Sequence, residues 1–400
     1  MAFQKLSVDD VNFENKTVLM RVDFNVPLDD EQNITDDFRI KSALPTIKKV
    51  LNDGGKLVLC SHLGRPKGER KPELSLAPVA KRLEELLNQK VQFANDCIGN
   101  DVLNAKKNLA AGEVLLLENL RYYKEETKND PDFAKQLAEG CDIYVNDAFG
   151  TAHRAHASTE GVTHYFDKKV AGYLMKKELD YLSKATTNPE KPYFAILGGA
   201  KISGKIDVIQ NLMDKVDGIV IGGAMVFTFL KSMGKETGTS LVEDDRLDMA
   251  KEILNTAEKK GVKLILPVDV LVADKFEANA KVDTVSVDNI PGDMMGVDIG
   301  PKSLELIKNE LKNAKTVVWN GPMGAFEIEP FSKGTYGLAE FLVELTASGA
   351  VTIVGGGDSA AAVNEKGLNS KLSHVSTGGG ASLEFLEGKI LPGVAALSDK

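Results

Sequence analysis

The sequence predicts two α/β lobes, each a parallel sheet with helices on its faces, joined by a helix near the middle of the chain. Three observations lead there. Short apolar runs alternate with helix-period segments, the pattern of strands covered on both faces by helices. The residues that follow those runs differ between the halves: Asp, Asn, His and Arg before residue 171, glycine after residue 186. Between the halves, Ala171, Leu174, Met175, Leu179 and Leu182 recur at three- and four-residue spacing, one stripe of an amphipathic helix over 171–186. The segment Thr187-Asn-Pro-Glu-Lys-Pro192 stops that helix, because proline lacks a backbone N–H and disfavours helix in the residue before it.

Length and composition bound the answer. Four hundred residues at 43% hydrophobic suit two domains, less often three. No stretch approaches 18 uncharged apolar residues, so no membrane span is expected. The opening Met-Ala-Phe-Gln-Lys-Leu-Ser-Val-Asp-Asp lacks the basic-then-apolar pattern of a secretory leader. Cys60, Cys97 and Cys141 are odd in number and lack C-x-x-C spacing; they read as buried thiols of a reduced cytosolic protein. A net charge of −9 argues against general nucleic-acid binding, so any anion site must be a local cluster of cations.

In the first half, Val18–Asn25 reads as a strand ending in Asp23 and Asn25 and stopped by Pro27. Residues 39–53 follow as a helix opened by Arg39 and closed by Gly54-Gly55. The apolar Lys56–Cys60 then runs into Ser61-His62-Leu63-Gly64-Arg65-Pro66. The unit repeats as helix 75–89, strand 113–117 leading to Glu118-Asn119-Leu120-Arg121, helix 131–139, and strand 142–147 leading to His153 and Arg154. In parallel sheets ligands bind beyond the carboxyl ends of strands. One arginine alone reads as a solvated surface charge. Four successive junctions ending in cation or amide donors favour a small, multiply anionic ligand, because arginine forks match phosphate and carboxylate geometry. His156 and His164 carry no such positional argument.

Of the 36 glycines, 26 fall after residue 186, and they cluster at strand ends. The runs lead into Gly198-Gly199-Ala-Lys201, Gly222-Gly223-Ala224, Gly321-Pro322, Gly355-Gly356-Gly357-Asp358-Ser359 and, after a short strand near His374, Thr377-Gly378-Gly379-Gly380. Helices at 203–213, 244–260, 303–313 and 332–348 fill the gaps. A single glycine turn often merely permits a tight bend. Five along one sheet edge favour nucleotide binding, since glycine lets backbone N–H groups approach phosphate oxygens. Two near-motifs fail: Gly199–Ile206 resembles a P-loop but has Ile206 where a magnesium-holding hydroxyl belongs, and Gly355–Ala360 fits a dinucleotide pattern without the ribose-binding acid about 20 residues on. Asp358 inside the loop suits a magnesium nucleotide, since Mg²⁺ takes one or two carboxylates plus phosphate oxygens.

Taken together these residues resemble the phosphoglycerate kinase family. The resemblance rests on Arg21–Pro27, Ser61–Pro66, Leu117–Arg121, Asn146–His156, Leu197–Lys201, Trp319–Gly324, Gly355–Ser359 and Ser376–Ala381, which stand in the family's order over nearly the whole chain. It implies two doubly wound, Rossmann-like lobes facing each other across a cleft. The expected division is 1–170 for the phosphoglycerate lobe, 171–186 for the connecting helix and 187–387 for the nucleotide lobe, with the tail 388–400 returning to the first. It implies reversible transfer of the acyl phosphate of 1,3-bisphosphoglycerate to Mg-ADP, in a cytoplasmic monomer acting on small molecules. Carried over by motif, Asp23, Asn25, Arg39, His62, Arg65, Arg121 and Arg154 would hold the glycerate. Lys201, Gly296, Glu327, Gly356, Gly357, Asp358 and Ser359 would contact the nucleotide, Asp358 as the magnesium ligand and Glu327 at the ribose. Gly204 departs from the family, where an acid is common between the two lysines, and a looser helix start is expected there.

Phosphoryl transfer asks a protein for in-line positioning and charge stabilisation. Arg39 and Lys205 would supply charge, with Lys201 and backbone N–H groups of the Gly355 and Gly378 turns, Gly379 among them. No general base is required, because a 3-phosphoglycerate carboxylate is already ionised at pH 7. Asp23 is read as an acceptor for a ligand hydroxyl, with a pairing to Arg21 as the alternative. A bilobed anion-binding protein would leave Lys201, Lys205 and Asp358 unexplained, and a dinucleotide oxidoreductase lacks its ribose acid.

Overall fold

The computed structural model describes residues 4–400, which fall into two compact units: the chain up to Asp180 together with Ile390–Lys400, and Tyr181–Lys389.

Unit 1 holds six parallel strands, β1 (Thr17–Arg21), β2 (Lys56–Cys60), β3 (Val91–Phe93), β4 (Val114–Leu116), β5 (Ile143–Asn146) and β6 (Lys169–Ala171), in the order β3-β4-β2-β1-β5-β6. Val18, Leu19 and Met20 are consecutive and all fully buried, as a strand covered on both faces requires. The covering helices are α1 (Phe38–Asn52), α2 (Ala77–Leu87), α3 (Asn100–Asn108), α4 (Lys124–Thr127) and α5 (Pro131–Ala138). In α1 the stripe Ile40, Ala43, Ile47 and Val50 is buried in the core with Val18, Met20, Leu57 and Leu59. Asp130 caps α5 by accepting the Phe133 N–H at 2.9 Å, with Pro131 at the first helical position. In the tail, α14 (Pro392–Ala395) is tied down where Gly393 N–H donates to the Ala152 carbonyl at 2.8 Å.

The helix α6 (Tyr173–Thr187) runs through the division between the units and ends before the two prolines. Its N-terminus is held by Asp147, whose Oδ1 accepts from Leu174 N at 2.9 Å and Met175 N at 3.2 Å.

Unit 2 is built on a second parallel sheet of six strands: β7 (Tyr193–Leu197), β8 (Gly218–Ile221), β9 (Lys263–Ile265), β13 (Thr316–Asn320), β14 (Val351–Gly355) and β15 (His374–Val375), ordered β15-β14-β13-β7-β8-β9. Its helices are α7 (Ile206–Leu212), α8 (Met225–Ser232), α9 (Leu247–Lys260), α10 (Pro301–Leu311), α11 (Lys333–Ala347), α12 (Gly357–Glu365) and α13 (Gly380–Leu386). An antiparallel sheet of three strands, β10 (Asp269–Ala273), β11 (Val282–Ser286) and β12 (Met295–Ile299), adds an element that the sequence reading did not foresee. The helix expected over 203–213 begins only at Ile206, so Lys201 and Gly204 lie in the turn before it and Lys205 caps it.

Cys60 and Cys97 are buried as expected; Cys141, at the turn into β5, is half-buried instead, and all three are free thiols. Among the described residues no helix is long and apolar enough to cross a membrane.

Candidate functional sites

The strand order of unit 1 explains why its polar junctions meet. β4, β2, β1 and β5 are adjacent and parallel, so Arg121, His62 and Arg65, Asp23 and Asn25, and Arg154 all leave the same edge of one sheet. Hydrogen bonds then lock the loops together. Asn25 Oδ1 accepts from Gly64 N at 2.8 Å, and the Gly64 carbonyl accepts from Arg121 Nη1 at 2.9 Å. Asn119, fully buried, donates to the carbonyls of Leu63 at 2.7 Å and Leu74 at 2.9 Å and accepts from Arg121 N at 3.1 Å. Glu118 in turn accepts from Ser75 Oγ at 2.7 Å and Leu76 N at 2.9 Å. These two residues shape the edge instead of facing a ligand.

The result is a cavity of about 550 Å³ lined by Arg65, Lys67, Arg121, Lys124, Lys128 and Arg154, with His156 and no carboxylate among its described lining residues. Six cations gathered without a counterion repel one another and favour a polyanion. Burial and then the charges of Arg21 and Arg154 push Arg121 down to about 10, and its buried Nε has no partner. The sequence reading missed Lys67, Lys124 and Lys128; the latter two stand at i, i+4 beside α4, a spacing that puts both on one side.

Asp23, Asn25, Arg39 and His62 do not line that cavity but stand at the same sheet edge, where Asp23 accepts from Asn25 N at 3.3 Å and pairs with Arg39, while His62 Nδ1 faces Arg21. Asp23 pairs with Arg39, not with Arg21, so the alternative partner is not realised. Arg39 is half-exposed and thus remains available to solvent. His62 is 4% exposed; burial, followed by the charges of Arg21, Arg121 and Arg39, holds its imidazole well below the usual range, so it is neutral at pH 7. Arg65 and Arg154 are exposed, the latter donating to His153 Nε2 at 3.1 Å.

In unit 2 the glycine turns also leave one sheet edge, and they have separate reasons. At Gly198 and Gly321 a Cβ on either would meet the other's backbone, so these glycines let two strand ends pack directly. At Gly356, by contrast, φ is +92, and the turn opens α12 at Gly357, where a Cβ would meet nothing within 4 Å. Gly379 likewise precedes α13 with nothing within 4 Å of an added Cβ. The helix N-termini at Gly357 and Gly380 therefore face open space, where backbone N–H groups can receive phosphate oxygens.

A cavity of about 400 Å³ opens beside the Gly199 and Gly223 turns and reaches Asp358 at the start of α12. Gly296, Glu327 and Asp358 line it, together with an apolar wall that includes Phe227, Leu241, Met295 and Met323. An apolar slot bordered by the carboxylates of Asp298, Glu327 and Asp358 and by glycine turns suits a flat heterocycle joined to phosphates. The antiparallel sheet supplies Gly296 and Met295 to it. Asp358 is exposed in the first turn of α12. Ser359 is fully buried, and its Oγ accepts from Gly321 N at 2.7 Å, so its side chain joins two turns.

Lys205 and Lys201 have different surroundings. Lys205 donates to Asn320 Oδ1 at the end of β13. Burial pulls its ammonium down to about 8, opposed by the charges of Asp358 and Glu387. Lys201 is exposed, close enough to Glu243 to help hold that carboxyl low, after the hydrogen bonds from Ser203. Gly204 stands exposed between them, with room for a side chain. Among the described residues no three His, Cys, Asp or Glu side chains converge as a metal cage.

A family model for phosphoglycerate kinase matches residues 8–389. The chain belongs to the phosphoglycerate kinase family. The phosphoglycerate kinase of Chloroherpeton thalassium is 60% identical over 396 residues, covering 99% of this chain and 100% of its own, and that of Chlorobium phaeobacteroides is equally similar. Among solved structures, phosphoglycerate kinase from Coxiella burnetii superposes with a TM-score of 0.88 at 45% identity, and that from Pyrococcus horikoshii OT3 with 0.85 at 32%. Each covers 98% of both chains. The family transfers a phosphoryl group reversibly between 1,3-bisphosphoglycerate and ADP, so the chain is a kinase acting on small molecules, one of them a nucleotide.

Proposed function

We propose that unit 1 binds the glycerate substrate and unit 2 the magnesium nucleotide. The observation that carries this division is the contrast of the two cavities: six cations and no carboxylate in one, an apolar slot bordered by Asp358 and glycine turns in the other. Arg65, Arg121 and Arg154 hold the phosphate of 3-phosphoglycerate. Asp23, Asn25 and His62 address its hydroxyl and carboxylate, and Arg39 stands toward the acyl phosphate. The slot takes the base, Glu327 the ribose, Gly296 the approach of the base through its bare backbone, and the N–H groups at Gly356 and Gly357 the phosphates.

Asp358 stands in the first turn of α12, next to the N–H groups assigned to those phosphates, which suits Mg²⁺, an ion that completes its shell with phosphate oxygens and water. When bound, the ion would neutralise charge on the phosphate chain. Lys205, charged at pH 7, supports the transferring phosphoryl group together with Arg39 and the Gly379 N–H, and Lys201 adds charge nearby. No residue needs to move a proton. Direct in-line transfer requires reacting atoms about 3–3.5 Å apart, so a closing step follows binding of both ligands. The enzyme works as a cytoplasmic monomer, without nucleic-acid or membrane partners.

The assay is a coupled reaction with 3-phosphoglycerate and Mg-ATP, run beside thermal shifts with Mg-ADP and with NAD. Turnover with stabilisation by Mg-ADP alone supports the reading; stabilisation by NAD without turnover defeats it. Solution scattering that leaves the radius of gyration unchanged when both ligands are present would remove the closing step.

A further inference from the structure

Behind the glycerate edge of unit 1 lies a buried chain of hydrogen bonds that no step above uses. Glu126, on α4, is fully buried. Its Oε1 accepts from Ser158 Oγ at 2.6 Å and its Oε2 from Ser158 N at 2.9 Å. Its own carbonyl accepts from Ala157 N at 2.9 Å, so one residue grips the loop after Arg154 through both main chain and side chain. Ser158 Oγ accepts from Arg21 Nε at 2.8 Å, and Arg21 Nη2 lies 3.1 Å from His62 Nδ1. Arg21 is itself fully buried, with Nη1 donating to the Val22 carbonyl.

The direction of every link follows from chemistry. A guanidinium has donors only. Ser158 must therefore receive from Arg21 and spend its single hydroxyl proton on Glu126. His62 Nδ1 must likewise be an acceptor. A neutral imidazole with Nδ1 unprotonated carries its proton on Nε2. His62 Nε2 makes no hydrogen bond to the described residues, so that N–H is left for an incoming group.

We propose that Glu126, acting through Ser158 and Arg21, is a positioning residue that fixes His62 as its neutral Nε2–H tautomer, a ready donor to the acidic substrate. The carboxylate also supplies the counter-charge for a guanidinium buried beside the basic cavity, and an unpaired buried charge would be costly. The same residue holds α4, which presents Lys124 with Lys128 just past its end, to the loop that presents Arg154 and His156. Glu126 thus orients donors on both sides of the site without touching a ligand. This rests on the assignment of the glycerate to unit 1.

The test is the nitrogen-15 spectrum of the His62 ring in the full-length, ligand-free enzyme, taken with calorimetry of 3-phosphoglycerate and Mg-ADP. Wild type should show a pyridine-type Nδ1 and a protonated Nε2. Glu126→Gln and Ser158→Ala should let the second tautomer appear and weaken 3-phosphoglycerate about tenfold or more, with Mg-ADP unchanged. Ser158→Ala keeps both buried charges and decides the matter if Glu126→Gln fails to fold. In a His62→Gln background, where the amide supplies its own donor, Ser158→Ala should have no further effect on 3-phosphoglycerate. A protonated Nδ1 in wild type, or variants with an unaltered spectrum and affinity, overturns the relay. Failure of wild type to bind 3-phosphoglycerate would instead overturn the assignment of unit 1, while the ring spectrum still decides the tautomer.

Discussion

Replacing Lys205 by alanine removes a half-buried ammonium beside the glycine turns of unit 2. Its Nζ is anchored by Asn320 Oδ1 at the end of β13, so the charge is held in place before any ligand arrives. A pre-organised donor aimed at charge that develops in the transition state is worth about 2.7–4 kcal/mol. At about 1.36 kcal/mol per factor of ten, kcat should fall by about 10²–10³. Both KM values should change far less, since the phosphoryl oxygens need that charge most during transfer. The pH profile carries a second signature. Burial holds the ammonium at about 8, below the usual lysine value. Wild-type kcat/KM should therefore decline as pH rises through about 8, as the charged form is lost. Lys205→Arg, whose guanidinium stays protonated, should keep measurable activity and lose that decline. Steady-state rates with 3-phosphoglycerate and Mg-ATP from pH 6 to about 10 provide the measurement. A near-native kcat in Lys205→Ala, or an alkaline limb unchanged in Lys205→Arg, would refute the role.

Two further outcomes follow from particular contacts. An alanine at Gly296 would drive its Cβ into the ring of Phe227, which lines the apolar cavity of unit 2; overpacking of this kind costs about 1–3 kcal/mol. Gly296→Ala should raise the nucleotide KM roughly tenfold and leave the 3-phosphoglycerate KM alone; an equal rise in both would contradict it. Asp147, wholly buried, is raised by burial to about 7 from 3.8, so between those values the folded chain holds a proton that the unfolded chain has lost. Stability at this group is thus fully present below about pH 4 and declines as pH rises toward 7. Asp147→Asn, which keeps an Oδ1 acceptor for the α6 N-terminus, should melt higher than wild type at pH 8 and not at pH 4; a constant difference across that range would refute the shift.

The parallel cores were legible because strands buried on both faces leave continuous apolar runs, and the loops after β1, β2, β4 and β5 could be aligned on one edge from that alone. Other elements left weaker marks. β11, Val-Asp-Thr-Val-Ser, is mostly exposed and shows no apolar run, although its partner β10 carries the run Val270–Ala273. α8 is buried on nearly every side, from Met225 to Leu230, and so has no stripe. β3 and β6 are three residues long, too short to show a period. The arginines of the basic cavity could be read from their junctions, yet Asn119 and Ser359 show the limit of reading by position. Both follow strands like ligand-binding groups, and both hold loops together, Asn119 through Leu63 and Ser359 through Gly321. Glu126 and Ser158 are 32 residues apart, and only the packing of α4 on the loop after β5 brings them together.

The division of labour between the units is tested most directly by crossed calorimetry. Arg65 is an exposed cation of the unit 1 cavity, and a lost charge-assisted hydrogen bond costs about 1.5–3 kcal/mol. Arg65→Ser should therefore weaken 3-phosphoglycerate by about ten- to a hundredfold and leave Mg-ADP unchanged. Asp358→Asn should do the reverse, weakening Mg-ADP and sparing 3-phosphoglycerate. Equal losses of both ligands in either variant, or losses on the opposite sides, would contradict the assignment of one substrate to each unit.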